Sequence, residues 1–254
     1  MSRTARLLMF ALAGGGTAAL LVVAVFGLPH FGTDNHPYRD AAVPAAVQHV
    51  TPNVISSINF DLRGLDTLGE ETIFLASVIG ATVLLRRGDD EEERTTPDAG
   101  RGRVLEATQL FGYLFLPITV MVGLLTVAHG ALTPGGGFQG GVVLGTGIHL
   151  LYVAGSYRAL ERVRPLPLFD VGEALGTGAF ACYGIATALA AGAFLANVLP
   201  LGTFGNLFSS GSVLLLSCAV GVEVASGVVV LLSSFLNQTL AVHAKRDAVS
   251  EERS

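Results

Sequence analysis

Six apolar runs of bilayer length dominate this sequence and leave few folds open to it. They are roughly Leu7–Leu28, Thr67–Leu85, Leu105–Ala128, Phe138–Tyr157, Val171–Ala196 and Leu207–Leu236. A helix of about 20 residues crosses the hydrocarbon core, and in lipid every backbone group must be satisfied within the protein. The runs are continuous rather than alternating, so helices are expected and strands are not. The expected fold is an all-α integral membrane protein with about six transmembrane helices. Composition agrees, with 51% hydrophobic residues, 14% charged residues and a mean hydropathy of +0.59. The 32 glycines suit helices that pack through small residues.

Lys and Arg set the expected orientation. If the N-terminus is cytoplasmic, Arg3, Arg6, Arg86, Arg87, Arg94, Arg101, Arg103, Arg158, Arg162, Arg164, Lys245, Arg246 and Arg253 all lie inside, leaving Arg39 and Arg63 outside. That asymmetry places both termini in the cytoplasm of a multi-pass plasma-membrane protein. The first run follows Arg3 and Arg6 and is not followed by a clean small-residue cleavage site, so a retained anchor is expected. The stretch 88–103 is polar and charged. It reads as a cytoplasmic linker between a two-span part, residues 1–87, and a four-span part, residues 104–240, with a cytoplasmic tail at 241–254.

Between the third and fourth runs stands Pro134-Gly135-Gly136-Gly137-Phe138-Gln139-Gly140-Gly141. Glycine is costly inside a helix, by roughly 1 kcal/mol relative to alanine. The stretch therefore marks either a close-packed hairpin on the outer side or a backbone ligand site. No cation stands near it to suggest an anion cradle, so close packing is the expectation.

Ionisable groups in or beside spans are functional candidates. Asp61 and Arg63 are close enough to pair locally. Asp66 is expected to cap the second span, with Glu71 as a first-turn acid suited to the helix dipole. Glu70 lies one turn after Asp66 on the same face, where a partly desolvated carboxyl either serves the helix start, passes protons or binds a cation. Glu223 lies deep in the last span, which contains no cation. It reads as part of an ion path or polar network, or as a packed neutral acid with Ser226 as a local partner. His149 in the fourth span reads as an interhelical hydrogen-bonding group or a proton relay, and His129 as an interfacial histidine. Cys182 and Cys218 are expected as buried thiols rather than a disulfide.

Other classes find no support in the residues. There is no nucleotide-binding loop, no paired-cysteine motif, no nucleophile motif, no metal-ligand spacing, and no basic cluster for nucleic acid. No enzymatic role, cofactor or metal is expected. The spans also lack a central Lys or Arg and an internal repeat, features expected of a free-standing transporter.

Two motifs carry a resemblance. The stretch Pro134 to Gly141, preceded by His129-Gly130, resembles the signature of the MnhB/MrpB family, subunits of Mrp-type multisubunit Na+/H+ antiporters. Asn59-Phe60-Asp61-Leu62-Arg63-Gly64-Leu65-Asp66-Thr67-Leu68-Gly69-Glu70 resembles the motif near the end of the large MrpA protein. The same piece stands alone as MbhE in membrane-bound hydrogenases. The resemblance implies a chain that is mainly scaffold within a complex related to the proton-pumping arm of respiratory complex I. Antiporter-like and small membrane subunits would be its partners, and Na+ or K+ and H+ the transported ions. It implies structural roles for Asp61, Arg63, Gly64, Gly69 and the Pro134–Gly141 stretch, and places Glu70, with Asp66, Glu223 and His149, as candidates near the ion path. The sequence departs from the family at Leu231, where an Asp is common, and at Ala131-Leu132-Thr133 before the proline. A component of a membrane-bound hydrogenase or similar oxidoreductase, and a purely structural adaptor, remain alternatives.

Overall fold

The structure is a computed structural model that describes residues 3–28, 32, 34–85, 105–154 and 166–251. Every regular element in it is helical: α1 (Arg3–Phe26), α2 (Pro37–Gln48), α3 (Val54–Ser57) running into a π turn (Ile58–Leu62), α4 (Gly64–Leu84), α5 (Glu106–Ala128), α6 (Gly137–Ala154), α7 (Leu166–Ala191) and α8 (Ser212–Glu251). Five helices among the described residues are long and apolar enough to cross a membrane. The sixth expected span corresponds to α6, which is described over 18 residues and carries Gln139, Thr146 and His149 among its glycines. The charged 88–103 stretch lies outside the described residues, as do the arginines at 158, 162 and 164.

The chain forms two compact units, one up to Ala41 and one from Ala42 on. The first holds α1, apolar throughout most of its 24 residues, and the surface pair Arg39–Asp40 at 2.8 Å. The second holds the helical bundle and everything relevant to the site.

Within that bundle α8 is the axis. Of its apolar span 61% is buried, against 17% for α4 and α5 and 22% for α7. Packing of α4, α6 and α7 around α8 explains the difference, while α5 packs mainly on α6. The glycines of α6 make this possible, because two ridges of them face two neighbours. A Cβ on Gly141 would stand 2.8 Å from Val224 Cβ, and one on Gly145 would stand 2.8 Å from Val228 Cγ1, so this ridge meets α8. On the other side a Cβ on Gly140 would stand 2.4 Å from Val127 Cγ2, and one on Gly123 of α5 only 2.7 Å from Leu144. With no cohesion from water exclusion inside lipid, such close backbone approach is what holds helices together. Gly137, Gly140 and Gly141 of the glycine-rich stretch thus stand at close helix contacts.

The core between the helices contains Phe60, Phe180, Leu195, Val213, Leu216, Val220 and Val224. Phe60, set inward by the π turn, meets Phe180 of α7 with ring centroids 6.2 Å apart. Both cysteines depart from expectation. Cys182 and Cys218 are free but exposed on the chain's outer surface, because an apolar residue in a membrane helix satisfies itself against lipid or a partner as readily as in a core.

Candidate functional site

The acidic stretch and the glycine turn, far apart in sequence, line one cavity of about 240 Å³. Asn59, Thr67, Glu70 and Glu71 come from one side, and Gly135, Gly136, Gly137, Phe138 and Gln139 from the other, with Phe60 and Val220 also in the wall. Its volume is room for several waters.

Asn53 stitches the two sides together. Its side-chain amide donates to the Gly130 carbonyl at 2.7 Å, the Thr133 carbonyl at 2.8 Å and Ser56 Oγ at 3.0 Å. Its Oδ1 accepts the Ile55 N–H at 3.2 Å and so caps α3. Ser56 Oγ also donates to the Gly130 carbonyl at 2.5 Å. The Gly130 and Thr133 carbonyls, just past the end of α5, are thus satisfied by Asn53 and Ser56. Across the turn, Gly135 and Gly136 adopt φ of +138° and +135°, a region side chains disfavour.

The π turn and the break at Arg63 rearrange the expected pairings. Asp61, its side chain buried, pairs with His49, and Arg63 forms an ion pair with Asp66. The expected local Asp61–Arg63 pair is thus replaced in the geometry by two others, because the change in helix path at Leu62-Arg63 sends the side chains apart. Asp66 does not cap the helix: α4 begins at Gly64 with Arg63 at the cap, and Asp66 lies in the first turn. Gly64 is buried, and a Cβ there would press on Leu195 at 3.2 Å, whereas Gly69 has open space around its Cα.

The larger departure concerns the acids. Glu70 is exposed and borders the cavity. Its neighbour Glu71, expected as a first-turn acid, is 2% exposed and belongs to the buried face of α4, with Thr67 and Val78. Neighbouring residues point about 100° apart on a helix, so only one of the two can face inward. Glu71 lies within electrostatic range of Glu223, and so does a residue that sequence reasoning missed, Glu173 of α7. Glu223 is fully buried and Glu173 is 4% exposed. Glu71 Oε2 and Glu173 Oε1 are buried without a hydrogen-bond partner, and the Glu223 carboxyl stands beside Thr177. Three helices thus converge on three buried carboxyls beside a polar cavity, an arrangement suited to taking up and releasing protons or to meeting a small cation. Glu173 was legible by the same criterion that singled out Glu223, an acid inside an apolar run.

His149 does not line the cavity. It lies twelve residues beyond Gly137 on α6, about 18 Å along the axis. Its Nδ1 is 2.8 Å from the Gly145 carbonyl, a bond within its own helix. His129 is likewise turned onto its own helix, at 3.0 Å from the Leu125 carbonyl.

Residues 107–230, from α5 into α8, match the model of a family described as a domain related to the MnhB subunit of Na+/H+ antiporters. This stretch is similar to that domain. Among curated proteins the chain is 27% identical over 231 residues to an uncharacterized protein of Methanocaldococcus jannaschii, covering 81% of this chain and 84% of that one. It is 26% identical over 198 residues to the A/B component of a probable K(+)/H(+) antiporter of Rhizobium meliloti, covering 69% of this chain and 19% of the larger protein. Two solved structures share the fold. A chain of the membrane-bound sulfane sulfur reductase, an archaeal respiratory membrane complex, matches with a TM-score of 0.68 and 24% identity over 91% of this chain and 98% of its own. A chain of the Mrp complex from Dietzia sp. DQ12-45-1b matches with a TM-score of 0.65 and 22% identity over 92% of this chain and 26% of its own. The glycine turn and Glu223 lie inside the matched stretch; the acidic stretch that completes the cavity lies before it.

Proposed function

We propose that this chain is an integral membrane subunit of a multisubunit monovalent cation/proton antiporter, exchanging Na+ or K+ for H+. Its contribution is transport rather than enzymatic catalysis. It acts mainly as scaffold and brings its cavity and buried acids to the border of an ion route completed by antiporter-like and small membrane partners. One observation carries this reading: the glycine turn, inside the stretch that matches the MnhB-related family, lines a polar cavity together with the acidic stretch, and buried carboxyls stand beside it. Under this reading residues 1–87 are an MbhE-like two-span module fused through the 88–103 linker to the four-span module at 104–240. The tail at 241–254 and both termini are cytoplasmic, in the plasma membrane.

A second reading, a component of a redox-driven respiratory complex, is favoured by a specific fact. The matching chain of the sulfane sulfur reductase is covered over 98% of its length. One preparation separates the two. The complex is captured from membranes through a tag on this chain, its subunits are identified, and inverted vesicles containing it are tested for a pH gradient that collapses when Na+ or K+ is added. Cation-dependent collapse with antiporter subunits alone supports the antiporter. Iron–sulfur subunits with proton movement driven only by an electron donor would replace it with the second reading.

A further inference from the structure

The three buried glutamates are spaced along the bundle rather than gathered at one point. A Cβ on Gly176 of α7 would touch Glu223 Cβ at 2.6 Å, and one on Gly172 would meet Ser226 Oγ at 2.5 Å, so α7 and α8 run antiparallel and nearly in backbone contact. One turn beyond Glu223, a Cβ on Gly227 would stand 3.1 Å from Glu173 Oε1 and 2.6 Å from Phe74 of α4. Glu173 therefore lies a turn farther from the cavity than Glu223, while Glu71, one turn before Phe74, touches the cavity itself. From Val220 at the cavity wall to Gly227 is seven residues, about 10 Å of rise. At the far end Asp170, exposed and within electrostatic range of Glu173, stands one turn nearer the start of α7.

This spacing suits the passage of a proton from one carboxyl to the next. A dehydrated alkali cation needs several oxygens on one centre at once. Among the described residues, no three His, Cys, Asp or Glu side chains stand close enough to share an ion. The ion pairs of the described residues, Arg39–Asp40, His49–Asp61 and Arg63–Asp66, include none of the three glutamates. Thr177, beside Glu223, gives its hydroxyl proton to the Glu173 carbonyl at 3.2 Å. Among the described residues, the charged groups within electrostatic range of the three are one another, Glu70 beside Glu71 and Asp170 beside Glu173. All are acids.

We propose that Glu71, Glu223 and Glu173 form a proton relay leading from the cavity to Asp170. A hydronium ion in the cavity gives a proton to the Glu71 carboxylate and leaves as water. Glu71 passes its O–H proton to the Glu223 carboxylate, directly or through a bridging water, and is again a carboxylate while Glu223 is an acid. The same exchange moves the proton to Glu173, which releases it to Asp170 or to water at the end of α7. One proton enters, one leaves, and no electron moves. The coupling of this flow to a cation rests on the antiporter reading; the relay itself does not.

The test uses the complete purified complex carrying Glu173→Gln, Glu223→Gln or, as control, Glu106→Gln at the exposed start of α5. Infrared difference spectra after a pH step should show protonated-carboxyl C=O bands that the first two variants each remove and the control retains. Addition of Na+ or K+ at fixed pH should leave those bands in place. In proteoliposomes the two variants should slow proton uptake roughly a hundredfold, the low end of what a positioned proton-transfer group contributes. Where a Gln variant fails to assemble, Glu173→Asp, which keeps the carboxyl, is compared with Glu173→Ala. Bands displaced by the cation, or wild-type proton uptake in both Gln variants, would overturn the proposal. A wild-type complex with no cation-coupled uptake but with the pH-responsive bands would sink the antiporter reading and leave the relay standing.

Discussion

Gly136 and Gly137 are neighbours with different reasons to be glycine. Gly136 holds φ at +135° in the turn but has no atom closer than 3.6 Å to an added Cβ, so a side chain there strains the backbone. Gly137 opens α6, and its added Cβ would stand 2.2 Å from the Ser217 carbonyl oxygen. Nothing flexible can yield there, since the obstacle is the backbone of α8. Gly137→Ala is therefore expected to force α6 off α8 and to abolish recovery of the intact complex from membranes. Gly178→Ala, with nothing within 4 Å, should leave assembly intact. It should raise the chain's stability by up to about 1 kcal/mol, read as a thermal shift in detergent. Asn53 is a residue of the opposite kind, small and polar, with four hydrogen bonds to lose. Asn53→Ala removes a helix cap and three donor contacts, for an expected loss of roughly 2–4 kcal/mol in the same measurement. Neither Asn53 nor Ser56 was legible in the sequence. Each is an ordinary polar residue whose partners, Gly130 and Thr133, are fixed only by the tertiary fold.

At the scale of elements, α4 shows both what the sequence discloses and where it misleads. Its buried face follows Thr67, Glu71, partly buried Phe74 and Val78, a regular helical spacing. Half of those positions are polar, so an apolar stripe never forms, and the i,i+4 relation of Asp66 to Glu70 singles out the exposed acid of the pair rather than the buried one. Glu71→Gln should accordingly impair cation-induced proton movement in inverted vesicles far more than Glu70→Gln, with complex assembly unchanged in both. Loss of exchange in Glu70→Gln alone would return the role to the exposed residue. The π turn was equally hidden, because nothing in Ile58–Leu62 departs from an ordinary helical composition. Its consequence is visible only in three dimensions, where it aims Phe60 at Phe180. Replacing Phe60 with Ala should cost about 3–5 kcal/mol by opening that contact.

For the whole molecule, hydropathy located the five helices that are long and apolar enough to cross lipid among the described residues, because each such run must span the bilayer whatever it packs against. It was not sufficient to rank them. That α8 is central and carries a fully buried acid depends on small residues at Gly137, Gly141, Gly172 and Gly176, which admit its neighbours. Orientation rests on a different physical quantity, the expected distribution of 13 among 15 Lys and Arg on one side of the membrane. It yields a prediction independent of every packing argument. A cysteine replacing Glu92 should stay unlabelled by a membrane-impermeant maleimide in intact cells and react once the membrane is opened. A cysteine replacing Thr203, exposed in the loop between α7 and α8, should react in intact cells. The natural Cys182 and Cys218 lie within spans and are first changed to serine, so that only the introduced thiol reports. Labelling of position 92 in intact cells would invert the topology. The cavity between the acidic stretch and the glycine turn would then open toward the cytoplasm, and the proton relay would run in the opposite sense.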